Sequence, residues 1–302
     1  MHGGDSSVSD LAKALFEAAL HLPEDVDFAL CGNRKALQTV VQNQRPDSLR
    51  AGRFLIFDAP DTTSPTPQSL SRYWRNHPDN SLIKALSLQK EGLAQASLSA
   101  GDTGLLLTSA LFLLERQEGV ERPALAAPIP TRSGGSALLL DVGANIECKS
   151  QHLVNFANLG HNHIQKLGAK TPTVRLLNIG SEEYKGTSTI LAAHKILLES
   201  SLNYQGFIEA HEIVEGKADI VVCDGFNGNI YLKSAESILR FMVEHISSTL
   251  SDQTKTQLAL FSSEMYGAVP ILGLKGTVYK AHGSSSTNAL TQSIITAVKT
   301  VY

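Results

Sequence analysis

Only three of the 302 residues are cysteine: Cys31, Cys148 and Cys223. They form no Cys-x-x-Cys pair and their number is odd, which argues against a disulfide framework and for a reducing compartment, the cytoplasm. Long apolar runs are missing as well; no window approaches the roughly eighteen residues that a membrane span needs. The opening stretch MHGGDSSVSD has neither the basic nor the apolar segment of a secretory signal, so a soluble protein is expected. Charge of one sign is not in excess. The 26 Lys and Arg against 29 Asp and Glu leave a formal net charge of −3, which speaks against a broad nucleic-acid footprint.

Several motifs are absent too. No G-x-x-x-x-G-K-[ST] occurs, which removes the support for a P-loop nucleotidase. No early G-x-G-x-x-G follows a strand and no G-x-S-x-G elbow is present. The HNH at 161–163 lacks partners at metal-ligand spacing and falls on an amphipathic helix, so it reads as surface. Cys148 and Cys223 have no histidine base near them in sequence and read as small buried residues.

What is there is a β-then-α alternation along nearly the whole chain. Strand-like runs occupy 26–32, 53–57, 94–101, 122–130, 137–143, 173–180, 218–225 and 277–283. Helical patterns occupy 81–92, 105–117, 187–200, 231–250 and 287–299, among others. Apolar strands alternating with helices predict a mostly parallel sheet covered on both faces. The one long stretch without a pattern is 58–80, which holds the only tryptophan, Trp74. Loops of that length are functional or mobile.

Five strands end in the same way: SAGDTG (99–104), DVGAN (141–145), NIGSEEYKG (178–186), DGFNGN (224–229) and AHGSSSTN (281–288). Each is rich in Gly, Ser, Asn, Asp or Thr, and most run into a helix. A single such loop is a turn with a cap. Five point to a lined cleft, because ligands of parallel α/β sheets bind beyond the carboxyl ends of the strands. Glycines let backbone N–H groups approach an anion, and helix N-termini favour negative charge. Lys185 and His282 are the candidate cations inside these loops.

Together with RPALAAPIPTRSG, LLLDVGANIECKSQHLVNFANLG, ADIVVCDGFNGNIYLK and KAHGSSSTNA, these motifs resemble the bacterial phosphate acyltransferases of phospholipid synthesis over about residues 80–302. The resemblance implies a three-layer α/β/α sandwich related to the phosphotransacetylase and isocitrate-dehydrogenase-like folds. The chain 1–302 would be one catalytic unit, or two lobes with the cleft near 130–145. The activity implied is acyl transfer from acyl-carrier protein to inorganic phosphate. It also implies a homodimer, no metal, no nucleotide or other cofactor, and a cytoplasmic protein in loose contact with the inner membrane.

Residue by residue, the resemblance carries over Asp141 and Asn145 from DVGAN, Lys185 from EEYKG, Asp224, Asn227 and Asn229 from DGFNGN, and His282, Gly283 and Ser284 from AHGSS. Phosphate binding is expected from Lys185, His282 and the loops around Gly101, Asp102, Thr103, Gly104, Gly283 and Ser284. Asn229 and Asn145 are the candidates for holding the thioester oxygen as it becomes an oxyanion. Asp224 or Asp141 would orient Lys185 or His282. The basic surface for a carrier protein is sought among Arg72, Arg75 and Lys84, which equally suit an ordinary solvated face. A coenzyme-A-dependent phosphate acetyl- or butyryltransferase, a dehydrogenase of the isocitrate type and a non-catalytic scaffold are the alternatives.

The chain departs from the family pattern in four places. The sequence opens at GGD without the strand that usually precedes it, which is compatible both with a shortened start and with a sheet edge that differs. Asp102 stands where the family has asparagine, and Ala268 where it has glycine. The stretch 233–266 is short. In the family that stretch is tied to membrane contact, and here the run 235–250 is amphipathic, with Ile238, Leu239, Met242, Ile246 and Leu250 near one face. A membrane-contacting helix and a core or dimer helix are both compatible with it. For Asp102 the expectation is a helix cap turned away from the ligand.

Overall fold

The structure is a computed structural model that describes residues 6–61, 63–66, 68–246, 267–283 and 285–302. Chain order is α1 Val8–Leu20, β1 Phe28–Gly32, α2 Arg34–Gln44, β2 Phe54–Asp58, α3 Leu70–Asn76, α4 Ser81–Lys90, β3 Ala96–Ser99 and α5 Thr103–Leu114, then β4 Ala124–Pro130, β5 Ser136–Leu140 and α6 Ser150–Lys166. It continues with β6 Thr173–Leu177, α7 Ser188–Leu198, β7 Asn203–Ile208, α8 Ala210–Val214, β8 Ile220–Val222 and α9 Gly225–Ile246, followed by β9 Ala268–Leu272, β10 Thr277–Ala281 and α10 Thr287–Val301. Several helices begin where the sequence supplies an acceptor for their free N–H groups. Asn33, Asn80, Thr187 and Ser286 accept from the second or third helical N–H of α2, α4, α7 and α10.

The chain divides into two compact units: residues 1–115, 263–270 and 274–302, and residues 116–262 and 271–273. The strand β9 contributes its first three residues to the first unit and its last two to the second. Residues 130–145, named as a cleft position from the sequence, lie wholly in the second unit as the β4–β5 hairpin and the loop after it.

In the first unit β1 pairs parallel with β2, and β10 pairs parallel with β3 and antiparallel with β9. Phe54 stacks on Phe28 and meets Phe16 edge-on at 5.2 Å, joining α1 to the β1–β2 pair. Arg53 is buried there at 2% exposure. Its guanidinium donates to the carbonyls of Val26 at 2.9 Å, Ala19 at 3.2 Å and Pro23 at 2.7 Å, and lies over the Phe28 ring. The Ala19 carbonyl belongs to the last turn of α1, where a positive charge also meets the negative end of the helix dipole.

In the second unit the order is β4-β5-β8-β6-β7, parallel except for the β4–β5 hairpin. Its core is apolar on nearly every inward position: Leu140, Phe156, Val174, Ala193, Leu197, Ile220 and Val222 are fully buried. Because β5, β8, β6 and β7 run parallel, their carboxyl ends and the loops DVGAN, DGFNGN and NIGSEEYKG leave from one side of the sheet. The mostly parallel α/β architecture flanked by helices is therefore as expected.

Three features differ from the sequence-based reading. The segment 58–80 is not structureless. It contains α3, and the Asp61 carboxylate holds His77 Nδ1 at 2.7 Å and the Thr63 backbone N–H at 2.8 Å. Helix α9 starts at Gly225 rather than 231, because Asp224 caps it. The strands β7 and β9 were not singled out from sequence, nor was the helix α1, although its apolar residues Leu11, Ala14, Leu15 and Ala18 fall at helical spacing. Of the run 235–250, residues from 247 onward lie outside the described residues, as does Ser284. Among the described residues no helix is long and apolar enough to cross a membrane.

Replacing Arg53 with methionine keeps the volume and removes the donors to the carbonyls of Ala19, Val26 and Pro23, of which Pro23 keeps the Val26 N–H. We expect a loss of about 3 kcal/mol of stability, read as a shift of the urea midpoint. A shift of under about 1 kcal/mol means that water replaces the guanidinium.

Candidate active site

The loop after β5 is organised by one carboxylate. Asp141 is fully buried. Its Oδ1 accepts from the backbone N–H of Leu125 at 3.0 Å, Gly143 at 3.2 Å and Ala144 at 3.0 Å. Its Oδ2 accepts from the Asn145 N–H at 2.6 Å and the Asn145 side-chain amide at 2.9 Å. Burial pushes the carboxyl above its ordinary value, opposed by the donors from Ala144, Asn145 and Leu125. All five contacts are to N–H groups, an arrangement only the ionised form satisfies in full.

These contacts revise two expectations. Asp141 has no oxygen left to orient Lys185 or His282; it shapes the DVGAN loop. Asn145 uses both amide N–H groups, one on Asp141 and one on the Pro123 carbonyl at 2.8 Å. It is a positioning group with no donor to offer an oxyanion.

Helix α9 starts against this loop. Asp224 accepts from the Asn227 N–H at 2.8 Å and from the Asn227 side-chain amide at 2.7 Å, so the two residues close the first turn on each other. That is an N-cap and not a hold on Lys185. Gly225 and Gly228 permit the approach: a Cβ at 228 would lie 1.9 Å from the Asp141 carbonyl oxygen and 2.8 Å from Cys223 Sγ. Asn229 is exposed and lies beside Gly143, its Cγ 3.7 Å from where a Cβ at 143 would be. Among the described residues the Asn229 amide has no hydrogen-bond partner, which leaves its N–H groups available. Burial pushes the Cys148 thiol up to about 12 and raises Cys223 as well, so neither supplies a thiolate.

The loop after β6 carries Lys185. Its Nζ donates to Glu182 at 2.6 Å, and its stem crosses Gly180, where a Cβ would lie 2.7 Å from the lysine Cδ. The pair is partly exposed, so an arriving anion can compete for the ammonium. Asn178, which sequence reasoning passed over, ties this loop: its amide donates to the carbonyls of Gly180 at 3.1 Å and Lys185 at 2.9 Å. An amide at the last position before a glycine turn was the signal available.

In the first unit the loops at 101–104 and 282–283 leave neighbouring parallel strands, with Ser99 paired to Lys280. Asp102 Oδ1 accepts from the Leu105 N–H at 2.7 Å and caps α5. His282 is exposed, and the Ser285 N–H donates to its carbonyl at 3.2 Å. Lys280, not singled out from sequence, brings a second cation to this strand end, and its Nζ donates to the Ala281 carbonyl. The structure thus groups Asp141, Asn145, Asp224, Asn227 and Asn229 at one place, with Lys185 on the loop of a nearby strand. It groups Gly101, Asp102, Thr103, Gly104, His282 and Gly283 at another. No cluster of metal-ligating residues occurs among the described residues.

The architecture is that of the phosphotransacylase type of α/β fold. A phosphotransacetylase from Streptococcus pyogenes superposes with a TM-score of 0.61 at 15% identity, covering 95% of this chain and 90% of that one. A branched-chain phosphotransacylase from Enterococcus faecalis V583 gives 0.58 at 19%, covering 100% and 97%. A 4-hydroxythreonine-4-phosphate dehydrogenase from Klebsiella pneumoniae gives 0.55 at 13%, covering 97% of both chains. At these identities the likeness is one of fold.

The sequence goes further. The model of the family described as fatty acid synthesis protein matches residues 1–302, and the chain belongs to that family. Among its relatives is the phosphate acyltransferase of Bacillus pumilus, 36% identical over 97% of this chain and 90% of that one. The phosphate acyltransferase of Clostridioides difficile is 39% identical over 74% and 70%.

Gly228→Ala drives a methyl group into the Asp141 carbonyl. We expect a loss of about 3 kcal/mol of stability, measured by urea unfolding. A change under about 1 kcal/mol means that the start of α9 is free to shift away from the DVGAN loop.

Proposed function

We propose that this protein is an acyltransferase that moves an acyl group from a thioester to inorganic phosphate for phospholipid synthesis. The observation that carries the reading is the 36% identity to a phosphate acyltransferase over 97% of the chain. Gly- and Asn-rich loops at the strand ends support it. A phosphate oxygen attacks the thioester carbonyl, the C–O bond forms and the C–S bond breaks. The thiolate leaves with the proton from phosphate, giving an acyl phosphate and a free thiol. Phosphate is a nucleophile near neutral pH without activation, so the protein supplies position and charge.

In this reading Lys185 exchanges Glu182 for phosphate; the assignment of Gly101, Thr103, Gly104, His282, Gly283 and Ser284 to phosphate rests on the family resemblance. Asn229 donates to the developing oxyanion, because its amide has no other partner among the described residues. Asp141, Asn145, Asp224 and Asn227 hold that amide's surroundings in place. Asp102 spends its carboxylate on the α5 cap, which keeps one negative charge from competing with phosphate. The thiol is that of acyl-carrier protein, and the protein works as a homodimer in the cytoplasm, with peripheral contact to the inner membrane. The family resemblance is the support for the donor, the homodimer and the membrane contact, and the cysteine usage for the cytoplasm.

The test is acyl phosphate formation from phosphate with acyl-carrier-protein and coenzyme A thioesters in parallel. Preference for coenzyme A overturns the donor, and no product from either overturns the activity. Lys185→Ala is expected to lose at least about tenfold in turnover while remaining folded. Asn229→Ala is expected to lose roughly 10²–10³-fold in kcat with KM little changed. Full activity in either folded variant removes that residue from the mechanism.

Asp102→Asn is expected to keep stability within about 1 kcal/mol and to leave the KM for phosphate unchanged or lower. A large rise in KM would give the carboxylate a positive part in binding.

A further inference from the structure

Helix α6 begins with an unusual cap. Its N-cap is Lys149, whose backbone N–H donates to Nδ1 of His152, three residues on, at 3.2 Å. Glutamate or glutamine ordinarily fills that position and returns an oxygen to the N–H. Here the acceptor is an imidazole nitrogen, a group that titrates near neutral pH. The other ring nitrogen, Nε2, lies 3.0 Å from the Glu121 carboxylate. His152 itself is buried, at 4% exposure. The two contacts fix the proton. Nδ1 faces a donor and is bare, while Nε2 faces a carboxylate and carries the hydrogen. The neutral ring satisfies both partners. The imidazolium does not, because its Nδ1–H meets the Lys149 N–H.

This cap lies where the candidate site is assembled. Residues 121–125 hold the segment 141–152 at three points: the Leu125 N–H on Asp141, the Pro123 carbonyl on the Asn145 amide, and Glu121 on His152. Gly143, in the same segment, is the neighbour of Asn229. We propose that His152 is a positioning residue for this segment: the neutral imidazole holds it in the working arrangement, and proton uptake releases the start of α6. The charged groups that act on the ring are Glu121 and Arg122 from the segment before β4 and Lys149 from its own turn. Burial, then Arg122 and Lys149, hold the imidazole below its ordinary value, and Glu121 opposes them. Glu121 is more than half exposed, so its charge is screened by water. An unfolded chain, with an ordinary histidine near about 6.5, therefore takes up the proton before the folded one does. The stability that the cap contributes is fully present above about 6.5 and is lost as pH falls through the folded value. The effect on turnover rests on the acyltransferase reading; the effect on the cap does not.

The test sets the wild type beside His152→Gln, which supplies the ordinary cap acceptor without a titrating group, and Glu121→Gln. Nitrogen-15 spectra of the imidazoles, with His152 identified by its loss in His152→Gln, are expected to show the Nε2–H tautomer at pH 8. The Nδ1–H tautomer there overturns the proposal. Turnover is then followed from pH 8 down to pH 5; the titration of phosphate itself is common to all three proteins and cancels in the comparison. His152→Gln is expected to stay within about threefold of the wild type at pH 8 and to carry the acid limb of kcat at least about half a pH unit lower, with the KM for phosphate little changed. Glu121→Gln keeps an acceptor for the Nε2–H and removes the charge that favours the imidazolium, so its acid limb moves the same way. An acid limb that is the same in folded His152→Gln and in the wild type overturns the proposal. If thermal melting shows that His152→Gln does not fold, Glu121→Gln decides, and an unmoved limb overturns the proposal.

Hydrogen exchange over residues 141–152, corrected for the intrinsic rate at each pH, reads the cap without reference to activity. Between pH 8 and pH 5 we expect protection in the wild type to fall at least about fivefold more than in His152→Gln. A wild type that forms no acyl phosphate fails the functional reading instead. The cap is then judged by exchange alone, and an equal pH dependence in the two proteins overturns it.

Discussion

A single buried carboxylate organises the candidate site of the second unit. Asp141 gathers N–H groups from the start of β4, from its own loop and from the Asn145 side chain. Its burial is tolerable because five donors replace the water it loses. That arrangement fixes the path of the loop after β5. The first turn of α9 is then laid against the loop so closely that positions 225 and 228 have no room for a side chain. The placement of Asn229, the amide left without a partner among the described residues, depends in turn on this packing. The polar residues of DVGAN and DGFNGN are therefore divided in their duties, most of them building the surroundings and one facing outward.

Charge is handled by the same division. The carboxylates of these loops are engaged within their own loops, Asp141 also by Leu125. Asp102 is spent on the N–H of Leu105, Asp224 on Asn227, and Asp141 on its five donors. Glu182 alone holds the catalytic candidate Lys185 directly, on a partly exposed loop where the pairing is weak enough to be exchanged. The departure at position 102 from the family's asparagine is thus locally neutral. An acid and an amide cap a helix equally well, and the acid's charge is taken up at the helix N-terminus.

The apolar residues at the strand ends obey a different constraint. Folding does not bury Ile179 or Tyr184, and no cap or turn asks for them.

How much was legible in the sequence can be judged from particular residues. The β-then-α order, the parallel pairings and the five glycine-rich strand ends follow from local periodicity, which the chain itself encodes. The cap at Asp102 was readable because the residue sits immediately before a helical pattern. The helix within 58–80 was not, because α3 is only seven residues long and its pattern is hidden by the prolines before it. Nor were the roles of Asp141 and Asn145, or the relevance of Asn178 and Lys280. A sequence shows that a polar group is present at a strand end, but not which donors reach it. Hydrogen bonds between residues such as Leu125 and Asp141 exist only once the sheet has brought distant segments within 3 Å of each other, and so tertiary structure alone separates the groups that build the site from those left to act in it.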